Sequence, residues 1–420
     1  MIVFPLLTRR FAFNVKTMPK TANYRIIHLS KYYPPDRGGI ETHVQTLAQT
    51  QAALGAEVHV VCVNAFNQQG QLSSSTQTVK EMDGNVSVTR MGRLLSLARF
   101  DVCPELPKKV CQLAKQPNTL LHLHTPNPTM LMALTMLHRR VPLVITHHSD
   151  VIKQKVLKYG LRPFEHLVYS RSSQVLTTSS PYIQGSKFLR FYRDKLSYLP
   201  LGLDGYNYSQ PNQRAIAFSH NLKKQYPGPI WLAVGRLVYY KAFHVAIEAL
   251  TMVAGTLVII GVGSLEQELK SLAKKLGVDK RIVWLGHVNE DELVGAYHAA
   301  TSLWFPSNVR SEGFGLVQVE AMASGCPVIN ANIPCSGVPW VSRHEQEGLT
   351  VPINTPIALA EASQRLLSEP GLRNRLAAAS RKRAEYFNHT TMAQRSFKFY
   401  EEVLHQERNY AGIPKSVNLL

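Results

Sequence analysis

An alternation of short β-rich runs with helical stretches, run through twice and interrupted once, constrains this 420-residue chain more than any other feature. The first series places strands at Tyr24–Ser30, Glu57–Val63, Val86–Met91, Leu120–His124, Leu143–His147, Gln174–Thr178 and Leu196–Leu199. A helix over Glu41–Leu54 carries Val44, Leu47, Ala48 and Leu54 near one face. The second series places strands at Ile230–Val234, Thr256–Ile260, Ile282–Leu285, Thr301–Phe305 and Pro327–Ile329, with helices over 241–253, 265–275, 290–299 and 316–324. Alternation of this kind builds βαβ units and a parallel sheet. Residues 205–229 are rich in Asn, Gln, Ser and Pro without a strong apolar period, and read as a linker. Three further helical stretches, over 356–368, 370–386 and 391–408, close the chain. The expected plan is a flexible extension (1–22), an α/β domain (23–204), the linker (205–229), a second α/β domain (230–386), a helix packing back on the first domain (387–408) and a loose tail (409–420). Two doubly wound sheets facing each other leave a cleft at their carboxyl edges, where ligands bind in such folds.

Composition narrows the function. Hydrophobic residues make up 45% and charged residues 18%, which suits a folded protein and not a disordered one. The formal net charge is +19, and 25 basic against 11 acidic residues fall in 1–210, compared with 22 against 17 in 211–420. That asymmetry points to an anionic membrane or a polyanion on the first half. The basic residues are dispersed and no nucleic-acid reader motif is present, so nucleic acid is set aside as a partner. None of the five cysteines has C-x-x-C spacing, which disfavours a disulfide scaffold or zinc ribbon and suits reduced thiols in the cytoplasm. No apolar run approaches the ~18 residues of a spanning helix. The stretch Ile2–Leu7, broken by Pro5, is too brief for a secretory leader, and Met18 is an alternative start.

Four segments carry chemistry. Pro34-Pro-Asp-Arg-Gly-Gly-Ile-Glu41 follows a strand and opens a helix, and Gly38 and Gly39 let a phosphate or sugar hydroxyl approach the backbone. It is neither a dinucleotide fingerprint nor a P-loop. In Val234-Gly-Arg-Leu-Val-Tyr-Tyr-Lys-Ala242, Gly235 ends a strand, and Arg236 and Lys241 offer two fixed cations at a helix start. That is a diphosphate clamp able to offset charge on a departing nucleoside diphosphate. Ile260-Gly-Val-Gly-Ser264 is a second strand-to-helix turn, with Gly263 in it. In Ser311-Glu-Gly-Phe-Gly-Leu-Val-Gln-Val-Glu-Ala321, Glu312 sits in a glycine loop and Glu320 inside an apolar helix. A buried carboxylate there needs partners such as the vicinal hydroxyls of a ribose. His122-x-His124 has a zinc-ligand look, but two histidines on one strand face more often pack or line a cleft.

Taken in order, Gly38-Gly39-Ile40-Glu41, Gly235-Arg236 with Lys241, and Glu312 seven positions before Glu320 resemble glycosyltransferase family 4 over roughly residues 24–405. The resemblance implies two Rossmann-like domains in the GT-B arrangement and a retaining, nucleotide-sugar-dependent reaction. It implies that Arg236 and Lys241 hold the donor diphosphate, that Glu312 meets the donor sugar beside the amides of Phe314, Gly315 and Leu316, and that Glu320 binds the ribose. Gly39 would lie near the transferred group. Val144-Ile-Thr-His-His-Ser-Asp150 matches a family element whose second histidine, His148, approaches the sugar; His147 is the competing assignment. No general base, metal or cofactor is implied. Front-side attack, with the departing phosphate taking the acceptor proton, is the implied mechanism. Nucleotide-sugar epimerases and phosphorylases share the fold and stand as alternatives.

Thr146–Ile152, Leu196–Asp204 and Ser336–Val341 are similar to a branch that builds bacterial lipopolysaccharide O-antigen and exopolysaccharide, often with GDP-mannose. Ile333-Pro-Cys-Ser-Gly337 departs from the glycine pair common in that loop. The implied acceptor is a saccharide or a polyprenyl-diphosphate-linked glycan at the inner face of the cell membrane, with the enzyme peripheral to it. Lys108, Lys109, Arg139, Arg140, Lys153, Lys155, Lys158, Arg162, Arg190, Arg193 and Lys195 would supply cations to that surface. Val156, Leu157, Leu161, Phe188, Leu189 and Phe191 would enter the interface.

Overall fold

The first sheet begins where a strand buried on both faces can begin, at Arg25. The computed structural model describes residues 25–411 except 37, 66–74, 98–99, 138–140 and 151–154, and no side chains at 155–159 or 407–411. The extension 1–22, most of the tail, Arg139, Arg140, Lys153 and the side chains of Lys155, Val156, Leu157 and Lys158 lie outside the described residues. In chain order the strands of the first half are β1 (Arg25–Leu29), β2 (Glu57–Val63), β3 (Val79–Asp83), β4 (Val86–Met91), β5 (Leu95–Leu97), β6 (Phe100–Val102), β7 (Thr119–Thr125), β8 (Leu143–His147), β9 (Gln174–Thr177) and β10 (Leu196–Tyr198). Eight of them form one sheet in the order β10-β9-β8-β7-β1-β2-β4-β3, and β5 and β6 pair with each other. Only β3 runs antiparallel in the large sheet. Its helices are α1 (Gly39–Ala53), α2 (Leu106–Ala114), α3 (Pro128–Thr135), α4 (Lys155–Arg171) and α5 (Ser180–Gly185).

The second half adds α6 (Tyr206–Ser209), α7 (Gln213–Gln225), α8 (Phe243–Leu250), α9 (Glu266–Lys275), α10 (Glu290–Ala299), α11 (Leu316–Ala323), α12 (Val338–Val341), α13 (Pro356–Ser368), α14 (Leu372–Ala384) and α15 (His389–Ala411). Its strands are β11 (Ile230–Val234), β12 (Thr256–Ile260), β13 (Ile282–Gly286), β14 (Ser302–Phe305), β15 (Val328–Ala331) and β16 (Gly348–Val351), all parallel, in the order β13-β12-β11-β14-β15-β16. Every residue of β7, β8 and β11 is buried, as parallel strands covered on both faces require. These are two doubly wound sheets of the GT-B type. The strand order reverses between β1 and β7 in one and between β11 and β14 in the other. Ligand crevices open outside the carboxyl ends at such reversals. The loops after β1, β7, β11 and β14 border those crevices.

Three departures from the sequence reading have physical causes. Residues 205–229 are not an irregular linker, because α7 occupies most of them. Asn212 caps it by accepting from the Ala215 amide at 3.0 Å. Its buried face is Ala215, Ser219 and Leu222, a stripe with too little apolar contrast to show as a period. α10 lies close enough that a Cβ on Gly295 would come within 2.5 Å of the Ala215 carbonyl oxygen. Strand β3 went unread because its side chains are mostly exposed and polar, as on an edge. Strand β16 was also missed; it is only Gly348–Val351.

The closing helix α15 returns to the first sheet. Met392, Ala393, Phe397, Tyr400 and Val403 pack with Val44 and Leu47 of α1 and with Val60 and Val144 of the strands. Gln51 of α1 donates to Ser396 Oγ at 2.7 Å and to the Tyr400 hydroxyl at 3.1 Å.

Candidate active site

In the second lobe, β11 runs into Gly235 at φ 144°, a conformation that favours glycine, and a Cβ there would press on the Lys241 side chain at 3.2 Å. The loop thus turns Lys241 back toward β14. Its Nζ lies 2.6 Å from Glu312 Oε2 and 4.8 Å from the centre of the Phe305 ring. Ser307 also donates to Glu312 Oε2, at 3.3 Å. Glu312 is followed by Gly315 at φ 77°, where a Cβ would strike the Phe305 ring at 2.7 Å. Gly315 starts α11, and among the described residues the amides of Phe314, Gly315 and Leu316 donate no hydrogen bond to the protein. A cation, a carboxylate and a free helix start converge here, which suits an anionic ligand. The Phe314 side chain itself is core, packed on Phe387.

Glu320 follows on α11 and is only 9% exposed. The Tyr297 hydroxyl donates to its Oε2 at 2.8 Å, and among the described residues no donor reaches Oε1. Burial pushes its carboxyl up to about 7, against the opposing pull of Tyr297 and Lys241. Gly263 has a structural reason to be glycine, since a Cβ would meet the Leu237 backbone at 2.4 Å.

The first lobe faces these groups. Gly38 precedes α1, and a Cβ on it would collide with the Glu41 carboxylate at 2.2 Å; among the described residues one on Gly39 would meet nothing within 4 Å. Arg236 keeps part of its side chain open to solvent. Burial disfavours its charge, but Tyr240 and the first lobe's Glu41 and Asp36 outweigh this and hold the guanidinium protonated. Burial pushes the Glu41 carboxyl above its ordinary range, against a backbone hydrogen bond and Arg236. Beside β8, Arg310 forms an ion pair with Asp150 and lies over the Tyr182 ring at 4.8 Å. Thr178 donates to the Gly313 carbonyl at 3.5 Å, and a Cβ on Gly313 would sit 2.6 Å from the His148 carbonyl oxygen. The Glu312 loop is thus seated on the ends of β8 and β9.

His147 and His148 point to opposite faces. His147 meets the Tyr169 hydroxyl at 2.7 Å and Asp150 at 3.2 Å, whereas His148 Nε2 lies 3.2 Å from His124 Nδ1. His148 is the one beside the Glu312 loop through its backbone. His122 and His124 pack together with His28 and His43.

Comparison with known proteins agrees with this geometry. The profile of Glycosyltransferase Family 4 matches residues 37–204, and that of Glycosyl transferases group 1 matches 213–383. The D-rhamnosyltransferase WbpZ of Pseudomonas aeruginosa is 30% identical over 348 residues, 82% of this chain and 87% of its own. The chain belongs to glycosyltransferase family 4. The family 4 enzyme is also 27% identical to the O-antigen chain mannosyltransferase C of Escherichia coli, over 86% of this chain and 93% of that one. Among solved structures, sucrose-phosphate synthase from Thermosynechococcus elongatus superposes with a TM-score of 0.74 at 22% identity, covering 91% of this chain and all of that one. HepE of Anabaena in complex with UDP-glucose gives 0.68 at 20%, covering 91% and 99%.

In the transferase, then, Lys241, Glu312, Gly315 and the start of α11 are brought together, with Gly235 behind them and Glu320 further along α11. Arg236 is acted on by the first lobe's Asp36 and Glu41, which flank Gly38 and Gly39 in sequence. Tyr297, Arg310 and the pairing of Asp150 were not legible beforehand. Tyr297 sits on a different helix with no motif around it, while Asp150 stands inside the quoted Val144–Asp150 element. The expected membrane face also changes. Phe188 and Leu189 are core, and Lys195 Nζ binds the Ser170 and Ser172 carbonyls at 2.9 and 2.7 Å at the end of α4. Phe191, 72% exposed, remains at the surface with Arg190 and Arg193. Among the described residues no helix is long and apolar enough to cross a membrane.

Proposed function

We propose that this transferase moves a hexosyl group with retention, from a nucleotide-diphosphate sugar to a saccharide or polyprenyl-diphosphate-linked glycan, in lipopolysaccharide or exopolysaccharide synthesis. GDP-mannose is the favoured donor. Rhamnose is 6-deoxymannose, so relatives named for D-rhamnosyl and for mannosyl transfer have a common sugar configuration. The observation that carries the reading is the 2.6 Å Lys241–Glu312 pair at the start of α11, beside the ends of β8 and β9. Arg236 and Lys241 offset charge on the departing diphosphate. Glu312, held by Lys241, anchors sugar hydroxyls rather than attacking, and Oε1 of Glu320 accepts from the ribose. His148 borders the sugar. The acceptor hydroxyl attacks the anomeric carbon on the face the diphosphate leaves, and its proton passes to the leaving phosphate oxygen. The enzyme works on the cytoplasmic face of the membrane without crossing it, with Phe191, Arg190 and Arg193 touching the anionic surface.

Incubation with GDP-mannose and a polyprenyl-diphosphate glycan, followed by nuclear magnetic resonance of the product, tests this. Release of GDP with an axial anomeric linkage is expected. A product of inverted configuration removes the retaining step. Failure of both GDP and UDP to bind at millimolar levels removes the donor site. Turnover of the donor without acceptor, or an epimerised sugar, places the enzyme in the epimerase or phosphorylase class instead.

A further inference from the structure

The first lobe contains a polar knot of which the proposed reaction draws only on His148, at its edge. Five histidines, His28, His43, His122, His124 and His148, are buried side by side between α1 and the strands β1, β7 and β8. Their hydrogen bonds fix most of the ring protons. The Gln51 amide nitrogen faces Ser396 and Tyr400, so its oxygen faces His28 Nε2, at 2.8 Å, and that nitrogen carries the hydrogen. His28 Nδ1 therefore accepts, at 3.0 Å, from His124 Nε2. His124 Nδ1 is left as an acceptor, and His148 Nε2 donates to it at 3.2 Å. Among the described residues His43, 1% exposed, has no partner on either ring nitrogen, although its ring centre lies 5.1 Å from that of His148 and 5.7 Å from that of His124. A buried imidazole with two unmet nitrogens pointing among other imidazoles costs stability unless something joins them.

We infer that His43, His124 and His148 form a binding site for one divalent transition-metal ion, zinc by preference. One nitrogen from each ring lies within 4.8 Å of the others. Nitrogens at 2.0–2.1 Å in a tetrahedral zinc site stand about 3.3 Å apart. The 3.2 Å between His124 and His148 already has that value, and His43 closes by up to ~1.5 Å with no hydrogen bond to break. The outer support is in place: His124 Nε2–H donates to His28, and His28 to Gln51, as metal-bound imidazoles require. His148 shifts its hydrogen from Nε2 to Nδ1 on binding, so the neutral rings accept the ion without net proton release. Burial and mutual repulsion hold all three rings neutral, His43 down to about 3. Three ligands leave a fourth position open for water. The ion would tie the first turn of α1, which opens at Gly38-Gly39, to the ends of β7 and β8. It adds rigidity to the first lobe and takes no part in the charge relief by Arg236 and Lys241, so it does not depend on the proposed reaction.

The test uses the full chain, freed of any affinity tag, stripped with chelator and titrated with Zn2+ or Co2+ alone. About one equivalent per chain, a higher melting temperature and a cobalt spectrum of four-coordinate ligation with three nitrogens are expected. His43→Phe should weaken binding at least 100-fold, while His220→Gln, at an exposed position, should not change it. Absence of stoichiometric binding, or equal binding by His43→Phe, overturns the site and leaves ordered water as the partner of His43. Should His43→Phe not fold, X-ray absorption of the zinc-loaded wild type decides: three imidazoles support the site, fewer overturn it.

Discussion

Replacing Glu320 with glutamine separates what the site needs from what the fold prefers. The carboxyl is buried, and its pKa is raised to about 7 from an ordinary 4.5. Below about pH 4.5 the folded and unfolded chains both hold the proton, and pH has no leverage through this group. Between about 4.5 and 7 the unfolded chain releases the proton and the folded chain retains it, so folding loses about 1.4 kcal/mol per pH unit. Above 7 the loss levels off at about 3 kcal/mol. Glu320→Gln has no proton to release, and its amide can still accept from the Tyr297 hydroxyl through its oxygen. Its stability relative to wild type should therefore be near zero at pH 4.5, rise through pH 6 and reach about +3 kcal/mol at pH 8. The assay is urea unfolding of both proteins across that range, read as a difference of midpoints at constant slope. Calorimetry at pH 8 should show the same variant binding nucleoside diphosphate more weakly, because a carboxylate accepts from a diol more strongly than an amide does. Nucleotide binding to wild type should take up the ionised form and release protons near pH 7. A stability difference that stays flat from pH 4.5 to 8 would refute the assignment of a desolvated carboxyl at Glu320. A pH-dependent difference with unchanged nucleotide affinity would refute its role in binding.

Lys241→Ala should lower kcat by at least 100-fold, since one of the two cations proposed to hold the diphosphate is lost. It should also cost about 3 kcal/mol of stability by leaving Glu312 unpaired; steady-state kinetics and urea unfolding check the two effects. Gly39→Ala should fold normally and weaken donor binding, because among the described residues a Cβ there meets nothing within 4 Å, whereas Gly263→Ala should lower the melting temperature against the Leu237 backbone. Asp150 is held well below the ordinary carboxylate range by His147 and Arg310 despite its burial. Its contribution is present above about pH 4 and is lost as pH falls through its depressed folded value, so Asp150→Asn should be destabilised at pH 7 and converge with wild type in strong acid. Phe191→Ser should reduce sedimentation with anionic vesicles while leaving activity on a soluble acceptor unchanged.

Much of this architecture was legible because its strands are buried on both faces and its helices are not. Val86–Met91, Leu143–His147 and Ile230–Val234 are found where their β-rich runs place them. β3 fails the same reading because an exposed edge needs no apolar residues, and α7 fails because a face of Ala215, Ser219 and Leu222 is nearly as polar as its surroundings. At the site, Glu312 and Glu320 announced themselves as carboxylates in apolar or glycine-rich settings. Tyr297 could not, because its partner is 23 positions away on another helix. His28, His43 and His124 stand on three elements, so only the sheet's strand order, β7 beside β1 with α1 above them, brings them together.

The return of α15 to the first sheet has a consequence for biogenesis. Gln51 is made 345 residues before Ser396 and 349 before Tyr400, the groups to which it donates. On the ribosome the first lobe emerges complete in strands yet lacking one helical wall, and Val44, Leu47 and Val144 lack that cover until α15 is made. A nascent chain stalled anywhere before α15 should bind chaperone through that bare face, and a cut near residue 388 should damage the lobe farthest from it in sequence.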